Sequence, residues 1–147
     1  MLGGLALLIV GCRIDLDHAA SAAPDGEPAP GVDAPGTGIA ACDGGVCLDL
    51  TAPANAKLGA VDGSRVITFG GKTILVVRTG DATFVALSAV CTHAGCTVGY
   101  SAPRVVCPCH GSTFALDGTV THGPATRPLA VFATTFDPST QQLAIAT

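Results

Sequence analysis

The sequence has little charge and few aromatic side chains. Charged residues make up 12% of its 147 residues, which is about half the usual ~25%. It has no Trp, one Tyr and five Phe, and residues 50–147 hold six basic and four acidic residues with no basic run. A phosphate-binding surface needs clustered basic side chains, often interleaved with aromatics. We therefore expect no nucleic-acid partner.

The apolar run near the N-terminus is too short to cross a bilayer. It covers residues 2–10, whereas a spanning helix needs ~20 apolar residues. Its length is typical of the hydrophobic region of a signal peptide, and the Gly11-Cys12 that follows resembles a bacterial lipobox. We predict a signal peptide over 1–11 and lipidation of Cys12. A plain secretory leader and a misassigned start codon are the alternatives, and the second is favoured by the absence of a basic residue before the run.

The segment that follows has the composition of a tether. Residues 19–40 are rich in Ala, Pro, Gly and Asp and almost free of large apolar side chains, so burial cannot offset the entropy of ordering them. We predict a lipid-anchored flexible tether over 12–40, with an r.m.s. span of roughly 25 Å for its disordered part, ahead of a folded domain over 41–147. A disordered terminus without a role is the alternative.

The folded part reads as short β-strands. Alternating or β-branched stretches are separated by turn signals such as Asp62-Gly63 and Gly70-Gly71, and no window has a sustained helical period. We predict an all-β fold, a small antiparallel sandwich or partly open barrel. The predicted strands are 46–50, 65–69, 73–78, 83–89, 131–136 and 143–146.

The seven cysteines cannot all pair with one another, because their number is odd. Cys42 and Cys47 bracket a turn of four residues, and in an exported protein they would suit a surface disulfide. Chance proximity explains this pair equally well, so both interpretations stay open.

Two loops combine cysteine and histidine at close spacing. They read Cys91-Thr92-His93-Ala94-Gly95-Cys96 and Cys107-Pro108-Cys109-His110-Gly111-Ser112, and each has a glycine where the backbone must turn tightly. The pattern resembles the Rieske family, whose signature is C-x-H followed by C-x-x-H. The resemblance extends to Gly123-Pro124-Ala125, which is similar to the proline loop of that family.

The resemblance implies one 2Fe–2S cluster and its ligands. Cys91 and Cys107 would bind one iron, His93 and His110 would bind the other, and Ser112 would donate a hydrogen bond to a bridging sulfide. The fold implied is Rieske-like, with an inserted cluster-binding subdomain over about 90–128. A structural zinc site is the alternative use of two Cys and two His, but zinc ligands are usually spaced by two or more residues.

Three further positions bear on the branch of the family. Cys96 and Cys109 match the pair that forms a disulfide between the loops in the higher-potential, cytochrome bc-type branch. Phe114 departs from that branch, which has a tyrosine there. Because the hydroxyl of that tyrosine would stabilise the reduced cluster, its loss predicts a lower potential. His18 and His122 match no ligand position.

The implied ligand set favours one-electron transfer. Neutral imidazoles in place of two thiolates make the cluster less negative, which raises its potential to the ~−150 to +300 mV range of Rieske centres. We predict an exported, membrane-anchored subunit or carrier, on the periplasmic or outer face of a bacterial membrane, that is not a catalyst on its own. It would carry electrons between quinol or a small-molecule oxidoreductase and a cytochrome. The alternative is a Rieske ferredoxin that supplies an oxygenase, in which Cys96 and Cys109 would be free.

Overall fold

The computed structural model describes residues 36–147, which form twelve antiparallel β-strands and one short 3-10 helix, η1. The predicted signal peptide, Cys12, His18 and most of the predicted tether lie outside the described residues. The elements are β1 Ile39–Cys42, β2 Gly45–Asp49, η1 Pro53–Gly59, β3 Ser64–Phe69, β4 Lys72–Arg78, β5 Phe84–Ser88, β6 Gly99–Ser101, β7 Arg104–Val106, β8 Thr113–Phe114, β9 Val120–His122, β10 Val131–Phe132, β11 Thr134–Asp137 and β12 Gln142–Ala146.

The strands form three four-stranded sheets. The first has the order β1-β2-β12-β11, the second β10-β5-β4-β3 and the third β6-β7-β8-β9. The third sheet is contiguous along the chain and is inserted between β5 and β10 of the second sheet. The predicted all-β class, the antiparallel pairing and the inserted subdomain are confirmed.

Strand β4 lies between two hydrophobic cores. Its residues 74–77 are all buried, and successive side chains of a strand point to opposite faces. Ile74 and Val76 pack with the first sheet, whereas Leu75 and Val77 pack in the core that holds Cys91 and Cys107. One strand therefore ties the two halves of the domain together, and its nearly continuous apolar sequence is typical of a strand covered on both faces.

The predicted strand over 131–136 is wrong in one respect, because the structure divides it. Strand β10 pairs with β5 in the second sheet, whereas β11 pairs with β12 in the first. The chain changes sheets at Ala133, and the side-chain hydroxyl of Thr134 donates to the carbonyl of Phe84 at 2.9 Å beside this crossing. A β-branched run has the same sequence pattern whether or not it changes sheets, so its composition could not indicate the break.

The 3-10 helix η1 was not expected from the sequence. It starts at Pro53, a residue suited to the first turn of a helix because its fixed φ costs nothing there. Asn55 and Leu58 are buried, three residues apart on one side of the helix. Within residues 36–147, no helix is long and apolar enough to cross a membrane.

Candidate metal centre in two paired loops

The two cysteine–histidine loops both adjoin the third sheet, the first ahead of β6 and the second between β7 and β8. The first follows β5, and an isolated bridge between Val90 and Thr97 closes its base. The second connects β7 to β8, which pair with each other in the third sheet. Because both loops start from paired backbone at the edge of one hydrophobic core, their positions relative to each other are fixed by the sheets.

The loops have the same internal construction. In the first, the N–H of Cys91 donates to the carbonyl of Cys96 at 2.8 Å, and in the second, the N–H of Cys107 donates to the carbonyl of Ser112 at 2.8 Å. Each loop then turns at a glycine, Gly95 or Gly111, with φ of 75° in both cases. A side chain at this φ would be strained, so the glycine in each loop is required by the backbone.

A disulfide joins the loops. The bond between Cys96 and Cys109 has an S–S distance of 2.05 Å and a Cα–Cα distance of 6.5 Å. This is the pairing that the family resemblance implied. The second pair, Cys42 and Cys47, also forms a disulfide, within the β1–β2 hairpin, which favours pairing over chance proximity for those two residues.

The proposed ligands form two close pairs, one of buried thiols that hydrogen-bond to each other and one of exposed imidazoles. Cys91 and Cys107 are free and buried, each 2% exposed. His93 and His110 are exposed, and their ring centroids lie 4.9 Å apart with the ring planes at 89°. Two buried thiols and two neighbouring imidazoles on the same two loops provide the two sulfur and two nitrogen donors of a Rieske cluster.

Backbone amides surround the two sulfur atoms. Burial raises the pKa of the Cys91 thiol, but hydrogen bonds from the N–H groups of His93 and Ala94 and from the side chains of Cys107 and Ser112 outweigh it and lower that pKa overall. Such bonds stabilise the thiolate, which is the form that binds iron.

The pKa of Cys107 is shifted in the opposite direction. Burial raises it most, followed by the hydrogen bond and the charge of Cys91, although the N–H groups of Cys109 and His110 lower it in part. The two thiols are hydrogen-bonded to each other, and Cys91 gives up its proton more readily than Cys107. The N–H groups that point at both sulfurs are suited to stabilise two thiolates once cations neutralise the repulsion between them.

A third loop, over residues 123–128, is attached to both cysteine–histidine loops. The hydroxyl of Thr92 donates to the carbonyl of Arg127 at 2.6 Å, and the N–H of Ala125 donates to the hydroxyl of Ser112 at 3.0 Å. Ser112 is fully buried, and its side chain also hydrogen-bonds to the sulfur of Cys91. The sequence did not predict these two contacts, because each joins residues that are more than ten positions apart.

A group of three cysteine sulfurs also lies close together, but it is not the metal site. The Sγ atoms of Cys96, Cys107 and Cys109 lie within 4.8 Å of one another. Cys96 and Cys109 are joined in the disulfide, so Cys107 alone among them offers a thiolate. The residues that fit an iron–sulfur cluster are the two free thiols and the two imidazoles.

Two other positions from the sequence are now located. Phe114 is fully buried in the core that contains Cys91 and Cys107. His122 is exposed on β9 and lines a cleft on the outer face of the third sheet, together with Arg104. His122 therefore belongs to a strand of the third sheet and to neither cysteine–histidine loop.

Comparisons with known proteins agree with this geometry. Residues 51–133 match the family model of the Rieske [2Fe-2S] domain. The chain is 43% identical over 70 residues to the cytochrome b6-f complex iron-sulfur subunit of Synechococcus sp. (strain JA-3-3Ab), which covers 46% of this chain and 41% of that protein. The subunit of the same name from Gloeobacter violaceus is 39% identical over 89 residues, which cover 52% of this chain and 46% of that protein. The chain thus spans less than half the length of these relatives.

A solved structure has the same fold. The cyanobacterial plasma membrane Rieske protein PetC3 from Synechocystis PCC 6803 superposes with a TM-score of 0.52 and 32% identity, covering 58% of this chain and 87% of that one. The ferredoxin of carbazole 1,9a-dioxygenase from Nocardioides aromaticivorans IC177 also has a TM-score of 0.52, at 24% identity.

The fold and the two paired loops define an iron–sulfur protein with mixed cysteine and histidine ligation. The chain belongs to the Rieske [2Fe-2S] domain family. Membership of this family implies one 2Fe–2S cluster.

Proposed function

We propose that Cys91, Cys107, His93 and His110 hold the cluster, with the two thiolates on one iron and the two imidazoles on the other. The observation that carries this proposal is the pair of buried, hydrogen-bonded free thiols on the same two loops as imidazoles whose centroids lie 4.9 Å apart. When bound, the cluster supplies a one-electron couple. The backbone N–H groups stabilise the thiolates, and the exposed imidazoles each keep a second ring nitrogen that can exchange a proton with a partner.

The ligand assignment is tested with His110→Ala. The purified wild-type protein should contain two iron and two acid-labile sulfide per chain and, after reduction, give the EPR spectrum of a Rieske centre. His110→Ala should lose that spectrum, because the iron held by the imidazoles would then lack a ligand. His122→Ala is the matched control, since His122 is exposed outside the loops, and it should retain the full cluster. One zinc per chain without iron would contradict the assignment.

We propose further that the carrier works outside the cytoplasm, between quinol or a small-molecule oxidoreductase and a cytochrome. Two disulfides support an oxidising location. The bridge between the cluster loops and the similarity to cytochrome b6-f subunits favour this role over a ferredoxin for an oxygenase. With quinol as the donor, the exposed His93 and His110 would accept its hydrogen bond, and each of its two electrons would leave in a separate step.

The partner can be tested by reconstitution. The oxidised protein is mixed without oxygen with a short-chain quinol and a c-type cytochrome, and the bleaching of the cluster and the reduction of the haem are followed by stopped-flow absorbance. Haem reduction that requires both quinol and the protein supports the proposed role. Efficient transfer to a Rieske oxygenase but not to the cytochrome would instead support the ferredoxin alternative.

The lipid anchor at Cys12 is the last part of the proposal. It depends on the sequence of the N-terminal region, which resembles a lipobox. Mass spectrometry of the membrane-extracted protein should detect a diacylglyceryl group on Cys12, and Cys12→Ser should move the protein to the soluble fraction with its cluster intact. A mature N-terminus upstream of residue 12, with membrane attachment unchanged in Cys12→Ser, would contradict this assignment.

A further inference from the structure

A cleft of about 550 Å³ lies on the outer face of the third sheet, outside the cluster loops. It is lined by Pro103, Arg104, Thr113, Ala115, Thr121 and His122. Its volume falls in the range of binding sites for small molecules or side chains. Neither the ligands of the cluster nor the residues that position them line this cleft.

The cleft is next to the cluster loops. Thr113 and His122 are partners in the register of β8 and β9. Thr113 directly follows the second loop and His122 directly precedes residue 123 of the third loop. Arg104 lies three residues before Cys107, which corresponds to about 10 Å along an extended strand. A molecule bound in the cleft would therefore lie within roughly 10–15 Å of the cluster ligands, by the same rise per residue.

The cleft has positive charge and hydrogen-bond donors but no carboxylate. Arg104 is exposed and makes no hydrogen bond or ion pair within residues 36–147, and no acidic residue lines the cleft. The hydroxyls of Thr113 and Thr121 bond to each other at 2.7 Å, so one of their hydrogens stays available. An unpaired guanidinium with an adjacent hydroxyl donor is suited to bidentate pairing with an anionic oxygen group, and on the surface of a partner protein that group is a carboxylate.

The surface around the cleft and the cluster loops is likewise nearly free of acidic side chains. Within residues 90–128 the one acidic residue is Asp117, and its carboxylate already accepts hydrogen bonds from the N–H and hydroxyl of Thr119 at 2.9 and 2.6 Å. Arg127 is exposed beside the cluster loops, and the exposed residues at the tip of those loops carry no carboxylate. An uncharged centre with cations at its rim is typical of the docking surface for an acidic partner.

We infer that the cleft at Arg104 and His122 is a docking site for carboxylate side chains on an acidic protein that exchanges electrons with the cluster. This inference rests on the proposed function, because it concerns the redox partner. Pairing in the cleft would hold the partner against the exposed imidazoles, and the attraction would mainly raise the rate of association.

The test uses one acceptor in two charge forms. A basic c-type cytochrome and the same cytochrome with its lysines succinylated, which makes it acidic, are mixed with the reduced full-length protein in a stopped-flow instrument at low and high salt. At low salt, electron transfer to the acidic form should be faster than electron transfer to the basic form. Arg104→Gln should slow it about 3- to 10-fold at low salt, and the difference should disappear at high salt.

Two controls make the result specific. Lys72→Gln removes one positive charge from the first residue of β4, outside the cleft. Its effect on the rate of electron transfer at low salt should be less than half that of Arg104→Gln. The midpoint potential of Arg104→Gln is measured as well, so that a change in driving force is separated from a change in docking. If Lys72→Gln and Arg104→Gln slow the reaction equally, net charge alone accounts for the effect and the docking site is refuted.

Binding of the two oxidised proteins, measured by surface plasmon resonance, separates this inference from the proposed function. If the acidic cytochrome binds the wild type and not Arg104→Gln, the docking site stands even where no electron is transferred. If electrons are transferred but neither Arg104→Gln nor His122→Asn changes rate or binding, the carrier role stands and the docking site is refuted.

Discussion

Replacing Phe114 by tyrosine would add a single hydroxyl to the core that holds Cys91 and Cys107. Phe114 has 0% exposure, so bulk water cannot solvate the new group, and it shares a hydrophobic core with both thiols. The cytochrome bc-type branch that this chain resembles has a tyrosine at this position. We therefore expect the hydroxyl of Phe114→Tyr to donate to a ligand sulfur.

The size of the effect follows from the charge of the acceptor. A hydrogen bond to a charged group contributes about 1.5–3 kcal/mol. Since 59 mV corresponds to a tenfold change for one electron, the midpoint potential should rise by at most roughly 60–130 mV. The change in midpoint potential is positive because the reduced cluster is more negative and accepts the hydrogen bond more strongly. The figure is an upper bound because the oxidised cluster is also stabilised by part of that bond.

The assay is an EPR-monitored redox titration of the wild type and of Phe114→Tyr. Phe84→Tyr is the matched control, because Phe84 is 5% exposed in the other core, where it packs against Phe136 with ring centroids 5.0 Å apart. It should leave the potential unchanged. A hydroxyl of Phe114→Tyr without an acceptor would instead cost about 1–3 kcal/mol of unfolding free energy. An unchanged or lower potential in a fully loaded Phe114→Tyr protein would refute the reasoning.

Three further substitutions test the scaffold. Cys109→Ser should shorten cluster lifetime in an iron-release assay because it unties the two loops, whereas Cys47→Ser, the matched change in the other disulfide, should not. Tyr100→Phe removes the 2.7 Å hydrogen bond that the Tyr100 hydroxyl donates to Asp62. It should lower the free energy of unfolding, measured by urea titration, by about 0.5–1 kcal/mol and leave the EPR spectrum unchanged. Hydrogen bonds from the side chain and N–H of Ser139 lower the pKa of Asp137, so its contribution to stability is full above the unfolded pKa of about 4 and is lost as the pH falls through the lower native pKa. Asp137→Asn should therefore unfold with less acid sensitivity below about pH 4, as followed by circular dichroism, and equal sensitivity would contradict this assignment.

The sequence predicted the parts of this protein that local signals encode. The strands at 65–69 and 73–78 were predicted within one residue of β3 and β4, because each has a clear pattern and is bounded by a glycine turn. The two cysteine–histidine loops were recognised because their ligands and glycines are a few residues apart. In both cases the information lies within a window of about ten residues.

What the sequence did not predict depends on contacts between distant residues. The third sheet was missed because its strands are only two or three residues long, too short for alternation to be recognised. The contact of Thr92 with the carbonyl of Arg127 spans 35 positions. The pairing of Cys42 with Cys47 stayed open for a different reason. Their spacing fits a hairpin, but only the structure places β1 against β2 and brings the two Cα atoms to 5.7 Å.

The low charge of the sequence and the chemistry of the site have a common explanation. The negative charge of two buried thiolates could be compensated by Lys or Arg side chains, but here backbone N–H groups from both loops take that role, at His93, Ala94, Cys109 and His110. Backbone dipoles fixed by the fold stabilise an anion without a cation that would need its own solvation. The few cations of the cluster-binding region are therefore not required by the sulfurs, and Arg104 stays on the surface with its guanidinium available to a partner.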